Sequence, residues 1–188
     1  MGERRDLTCS GRQATLWQGA WPAMGYAVVH VLERECRAQP TASTQVQRVA
    51  IEWRRATCGP SSYGLLGAEW TPQGAERLLV RVLVSADVPF PGRDWHSLSS
   101  PDPRPGLPRE YADPVLRGAL EAGELPALGA GVLSFCQAAH DLVGSSPLVF
   151  QWLAQAVVRV VMLESPLLTD EELIRRLHLQ TSPLLNAE

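Results

Sequence analysis

Apolar and polar residues alternate through the middle of the chain and predict three β-strands. The first covers residues 46–57, VQRVAIEWRRAT, where the alternation is typical of a strand with one solvated face. The second covers residues 63–70, YGLLGAEW. The third covers residues 78–88, LLVRVLVSADV, and is the clearest, because it is rich in β-branched residues and flanked by proline and glycine. Turn residues separate the three strands, in CGPSSYG and TPQGAE.

The second half of the chain changes to helical spacing. Residues 109–125, REYADPVLRGALEAGEL, follow Pro108 and place their apolar residues on one stripe, which predicts a helix that stops near Gly123. Residues 127–139, ALGAGVLSFCQAA, predict a fourth strand, although their alanines and glycines weaken it. Residues 89–108 are rich in proline and predict a loop with a short extended piece at 95–99.

Two further helices begin at recognisable caps. Ser146 is a good N-cap and Pro147 suits the first helical position, so we expect a largely buried helix from there to about Glu164. Thr169 and Glu172 form a capping box that opens a last helix. The order of strands, helix, strand and helix predicts an α+β fold, with a sheet of about four strands and helices packed on one face.

The N-terminal region gives weaker signals. Residues 1–23 are mixed and rich in turn residues, and we expect them to be partly ordered at best. Residues 26–36, YAVVHVLEREC, fit both a strand and a helix, because their apolar residues satisfy both spacings.

Composition indicates a soluble globular protein with 45% hydrophobic and 20% charged residues. No apolar run predicts a membrane span or a secretory signal, so we expect a cytoplasmic protein with no membrane partner. The four cysteines form no CxxC pair, which disfavours a zinc site. All 17 basic residues are arginines, and the net charge of −3 weighs against a broad nucleic-acid-binding surface while allowing a local basic patch.

Catalytic patterns are weak. His140 and Asp141 are adjacent, and neighbours in sequence do not face each other on a strand or a helix. Ser145 and Ser146 lack the G-x-S-x-G elbow, and the chain has neither GxxxxGK[ST] nor HExxH. We therefore expect no enzyme, no metal and no cofactor, and we interpret AAHDLVGSSP mainly as a polar loop that caps a helix.

Two segments of this second half resemble the fourth domain of bacterial elongation factor G and the corresponding part of the ribosomal-protection tetracycline resistance proteins. They are GLPREYADPVLRGALEAGEL and AAHDLVGSSPLVFQWLAQAVV, and QRVAIEWRR resembles the strand that enters that domain. The matching residues are Pro108, Glu110, Tyr111, Pro114, Val115, Gly118, His140, Asp141, Ser145, Ser146 and Phe150.

The resemblance implies a fold like the second domain of ribosomal protein S5. It divides the chain into an N-terminal segment (1–45) that is a possible remnant of a preceding domain, a domain IV-like unit (46–165), and a C-terminal capping helix with a tail (166–188). Residues 26–35 would then be the last helix of the preceding domain, which favours a helix there.

The resemblance also implies a binding role without catalysis, in which a tip contacts the ribosome or a structured RNA. The tip would consist of His140, Asp141, Ser145 and Ser146, so His140→Ala should weaken binding and leave thermal stability nearly unchanged. The neighbouring loop is either CGPSSYG, with Gly59, Tyr63 and Gly64, or TPQGAE around Gly74.

Three features depart from the family: no P-loop GTPase is present, Val143–Gly144 replaces the second aspartate of the loop, and basic residues are sparse. Translation modulation and antibiotic resistance are the functions that this resemblance implies. The alternatives are a protein-interaction module, with Trp17, Trp21 and Trp95 as candidate contacts, and a small enzyme that uses His140.

Overall fold

The computed structural model describes residues 2–9, 11–21, 24–41, 43–55, 62–74, 76–86, 103–163 and 168–177. These residues form eight strands, three α-helices and a 3₁₀ turn at Leu125–Leu128. The strands are β1 (Glu3–Cys9), β2 (Arg12–Gln18), β3 (Val28–Arg37), β4 (Gln47–Arg55), β5 (Ser62–Pro72), β6 (Arg77–Ser85), β7 (Arg104–Pro105) and β8 (Gly131–His140). The helices are α1 (Arg109–Glu121), α2 (Pro147–Val161) and α3 (Asp170–Arg176).

The strands form one mixed sheet in the order β1-β2-β4-β5-β8-β6-β3, and the short β7 pairs with the end of β8. Neighbours are antiparallel except β6 and β8, which are parallel and are connected through β7 and α1. Parallel neighbours need such a crossover, because a hairpin can join only antiparallel strands.

One face of the sheet packs against α1 and α2, and we call it the helix face. Alternate residues of β4 point into this core, where Trp53 lies 5.4 Å from Trp152 of α2 between ring centroids. The two helices approach each other at Gly118, where an added Cβ would lie 2.2 Å from the carbonyl oxygen of Gln151. A side chain at Gly118 would therefore force α1 and α2 apart.

The opposite face, which we call the outer face, is partly covered by the connection between β2 and β3. Met24 of that connection is buried in a small cluster with Tyr63, Leu65 and Ala139, and Trp17 packs beside them. The carboxylate of Glu52 is buried on this face, where it accepts a hydrogen bond from the hydroxyl of Tyr63 at 3.0 Å. Burial of a charged group requires such polar partners.

The structure confirms the mixed α and β class, the four predicted strands (as β4, β5, β6 and β8) and the three predicted helices. Both predicted caps are present, because the hydroxyl of Ser146 accepts from Val149 N–H and that of Thr169 accepts from Glu172 N–H. Residues 89–102 of the predicted loop lie outside the described residues, and so do residues 178–188 of the predicted tail.

Two predictions for the N-terminal region are wrong. A sheet of about four strands is too small, because residues 3–9 and 12–18 form an antiparallel pair that extends the sheet beside β4. Residues 28–37 form a strand paired with β6, so the helix that the resemblance implies there is absent from this described segment. The expected boundary at residue 45 thus runs through a single sheet. These segments form strands because they pair with strands distant in sequence, and local propensity alone does not predict that pairing.

Candidate functional site

The tip predicted from the sequence lies at one end of the sheet, which we call the loop end. β4 finishes there, β5 begins there, β8 finishes there and α2 begins there. The first turn of α1 also lies there, because Tyr111 is 6.1 Å from the His140 ring between centroids.

His140 is the last residue of β8 and its side chain is only 6% exposed. Its ring nitrogen Nδ1 lies 3.2 Å from the carbonyl oxygen of Gly106, which can only accept, so Nδ1–H donates to it. Gly106 has a φ of 110°, a value that favours glycine. His140 is therefore buried rather than exposed at the tip, and its visible role is to join the end of β8 to the turn before α1.

The serines of the motif stabilise the loop that follows His140. The hydroxyl of Ser145 accepts from Asp141 N–H at 2.8 Å and donates to the carbonyl oxygen of Tyr63 at 2.9 Å. Val143 N–H donates to the Asp141 carboxylate at 3.3 Å. Ser146 caps α2. These bonds fix the loop from residue 141 to 146 against β5.

The exposed part of this loop is its apex, Leu142–Val143. The two residues are 63% and 85% exposed, which makes them the most exposed large hydrophobic side chains among the described residues. Sequence reasoning gave the contact role to the polar residues on either side. The apex follows the buried end of a strand, and only the fold shows that the chain turns outward at this point.

The structure distinguishes between the two candidate neighbouring loops. Tyr63 N–H donates to the carbonyl oxygen of Gly144 at 2.8 Å, so the start of β5 lies beside the 141–146 loop, whereas Gly74 follows the other end of β5. The Tyr63 side chain is buried, and Gly64 faces α2, where an added Cβ would lie 2.8 Å from Leu153 Cδ1. Gly59 lies outside the described residues.

Three arginines near the loop end have no ion pair within the described part of the chain: Arg54, Arg104 and Arg109. Arg54 is opposite Tyr63 in the sheet, and Arg104 is opposite His140. Elsewhere arginines pair with acids, as Arg48 does with Glu69 at 2.7 Å and Arg159 with Glu124 at 3.3 Å.

Acidic side chains also occur near the loop end: Asp141, Glu110 and Asp113. The Asp141 carboxylate is engaged with the loop backbone. The loop end is therefore a mixed surface rather than a uniformly basic one, and some of its guanidinium groups have no acidic partner in the part of the chain that the structure describes.

Neither a metal cluster nor a membrane-spanning helix is found in the described ranges. No group of three or more His, Cys, Asp or Glu side chains there could hold a metal ion. No helix among them is long and apolar enough to cross a membrane. His140 is occupied by the Gly106 carbonyl, and the Ser145 hydroxyl bridges two backbone groups, so the geometry gives both a structural task.

Comparisons with protein-family models, with curated proteins and with solved structures found no match. The resemblance to elongation factor G therefore stays a prediction from the sequence.

Proposed function

We propose that this protein is a non-enzymatic domain that binds the ribosome or a structured RNA through its loop end. The observation that carries the proposal is the combination of a fixed 141–146 loop with Arg54 and Arg104 on the strand pairs that border it. Arginine binds phosphate oxygens in a bidentate manner, and phosphate contacts supply most of the sequence-independent affinity for nucleic acids.

The arrangement of the central elements supports the same proposal. β4, β5, β6 and β8 with α1 and α2 form a four-stranded unit with two helices, as a fold like the second domain of ribosomal protein S5 would require. Within this unit the two family-like motifs meet, since Tyr111 of the first stacks on Phe150 of the second at 4.7 Å between ring centroids. β1, β2 and β3 extend the unit at its edges.

Different side chains at the loop end have different roles. His140, Ser145 and Ser146 hold the loop in place, whereas Leu142 and Val143 are free to contact a partner. Arg54 and Arg104 supply positive charge for phosphates. Aliphatic side chains at an apex can pack against unstacked bases, and apolar side chains are used in this way where proteins insert between bases.

Co-sedimentation with purified ribosomal subunits at low and high salt tests the proposal. We expect the protein to pellet with subunits at low salt and to be released as salt rises, because phosphate contacts weaken steeply with salt. Arg54→Ala combined with Arg104→Ala should weaken binding by about tenfold or more and reduce its salt dependence.

The matched control is Arg34→Ala combined with Arg37→Ala. These exposed arginines of β3 also have no ion pair within the described residues, so the control removes the same charge from another part of the sheet. Equal weakening by both pairs would contradict a specific site at the loop end. Failure to pellet at low salt, together with failure to retain ribosomal RNA on a filter, would overturn the proposed function.

A further inference from the structure

The two edge strands of the sheet differ in how they are protected. β1 lies beside α3, where Arg5 donates to the carbonyl oxygen of Leu168 at 2.6 Å and pairs with Asp170 at 2.5 Å. β3, at the other edge, pairs with β6 on one side and has no strand on its other side among the described residues. Within the described part of the chain, its outward backbone groups therefore pair with no strand and could accept one.

β3 has only part of the protection of a natural edge strand, namely charged side chains in its second half and one irregularity. It is ten residues long, contains no proline, and has one irregularity, close to its start between Val28 and His30. Natural edge strands are commonly short or protected by lysine, proline or bulges. From Val31 to Arg37 the register with β6 is regular. This half of the strand therefore has a regular ladder on its β6 side.

The first half of β3 is apolar and exposed: Val28, Val29 and Val31 are all exposed, and Val29 reaches 62%. Val28 and Val31 border an open groove on the outer face, which has a volume of about 530 Å³. Leu83 and Cys136 line it beside them, and the rest of its lining is polar: Glu33, Glu69, Arg81 and Ser134. Burial, then the nearby Glu69 carboxylate, raises the pKa of the Cys136 thiol to about 11, so the thiol is neutral at physiological pH. The groove is suited to apolar side chains at this end.

The second half of β3 carries positive charge that has no ion-pair partner among the described residues. Glu33 pairs with Arg81 of β6 at 2.7 Å, and Glu35 pairs with Arg77 at 3.3 Å, so both acids are neutralised within the sheet.

Arg34 and Arg37 are exposed and have no ion pair within the described ranges. A strand added at this edge would place its side chains beside them, where carboxylates are the complementary groups.

We propose that the free edge of β3 binds an extended segment of another protein as an additional antiparallel strand. The segment carries acidic residues in the half that faces Arg34 and Arg37, and apolar residues in the half that faces Val28 and Val31. Main-chain hydrogen bonds supply affinity in this mode, and alternate side chains supply specificity. This surface is distinct from the loop end and does not depend on RNA binding there.

A second copy of this chain fits the edge less well. Antiparallel pairing centred on Arg34 would set Arg34 against itself and Glu33 against Glu35, and like charges directly opposite are destabilising. Pairing centred on Val31 would leave Arg37 without an acid. Pairing centred on Cys36 would set Glu35 against Arg37, but it would pair only residues 35–37 of the strand and leave Val28, Val29 and Val31 uncovered. The strand as a whole therefore favours a partner of different sequence.

Two synthetic peptides of about ten residues test the proposal. The acidic peptide has two glutamates in its N-terminal half and valines at alternate positions in its C-terminal half, and the basic peptide replaces the glutamates with lysines. Fluorescence anisotropy should show that the protein binds the acidic peptide at least about tenfold more tightly than the basic one. Amide hydrogen exchange across residues 28–37 should slow when the acidic peptide is added.

The charge-reversed variant, Arg34→Glu combined with Arg37→Glu, should bind the basic peptide more tightly than the acidic one. Because both side chains are exposed, its thermal melting should match that of the original protein. Arg54→Glu combined with Arg104→Glu is the matched control and should leave peptide binding unchanged.

Four results would overturn the proposal: no binding of the acidic peptide, an unchanged preference in the charge-reversed variant, weakening by the control to the same extent, or binding without protection of the β3 amides. A concentration-dependent dimer in sedimentation velocity that Arg34→Glu with Arg37→Glu dissolves would assign the edge to a second copy instead.

Discussion

On the helix face, β4 buries Ile51 and Trp53 against α2, whereas on the outer face the same strand buries the carboxylate of Glu52. The helix face is stabilised by apolar area, which is non-directional and tolerates some rearrangement. The outer face is stabilised in part by the hydrogen bond that the Tyr63 hydroxyl donates to the buried carboxyl group of Glu52, and such a bond is directional. Alternation along one strand thus produces two layers that should respond differently to substitution.

The largest effect is expected on the helix face. Trp53→Ala should lower the free energy of unfolding by about 3–5 kcal/mol, because the side chain is fully buried and packs against Trp152. Trp17→Ala on the outer face should cost only about 1 kcal/mol, since Trp17 is partly exposed and packs only at the edge of the outer cluster and beside the Arg4 guanidinium. Urea denaturation of both variants measures the difference, and equal losses would contradict the contrast between the faces.

A smaller effect is expected when the polar contact of the outer face is removed. Tyr63→Phe keeps the ring but deletes the hydroxyl that donates to Glu52, so the variant should lose about 1.5–3 kcal/mol of stability. Tyr63→Phe with Glu52→Gln should be less destabilised than the sum of the single changes, because the two side chains interact. Additive losses in a double-mutant cycle would show that the hydrogen bond does not couple them.

The smallest effects separate the anchor of the loop from its apex. His140→Ala should cost about 1–3 kcal/mol, because it leaves the buried carbonyl of Gly106 without this donor. Val143→Ala, on the exposed apex, should change stability by no more than about 0.5 kcal/mol. Chemical denaturation checks both values, and an unchanged His140→Ala variant would support the exposed contact expected from the sequence.

The central elements could be predicted because their signals are local. β6 alternates β-branched residues, Ser146 and Thr169 are typical N-caps, and α1 follows Pro108. β1 could not be predicted in this way, since ERRDLTC is mostly polar and becomes a strand by pairing with β2. β3 satisfied both helical and strand spacing, and its pairing with β6 decides between them.

The sequence predicted a loop between β8 and α2 but not which side chains of that loop are exposed. The motif around His140 lies at an end of the sheet beside Tyr63. The sequence could not show that His140 points inward, because successive side chains of a strand lie on opposite faces. The hydrogen-bond partner of His140 is the carbonyl oxygen of Gly106, which lies 34 residues earlier in the chain. Arg104 went unnoticed, since its proximity to His140 depends on the pairing of β7 with β8.

The sequence by itself determined the α and β class, the caps of α2 and α3 and the alternation that gives β4, β5 and β6 their two faces, because these depend on neighbours in the chain. Only the tertiary structure decided the size of the sheet, the exposed edge of β3, the burial of His140 and the exposure of Leu142 and Val143. Each of these depends on contacts between residues far apart in sequence, and such contacts leave no local pattern.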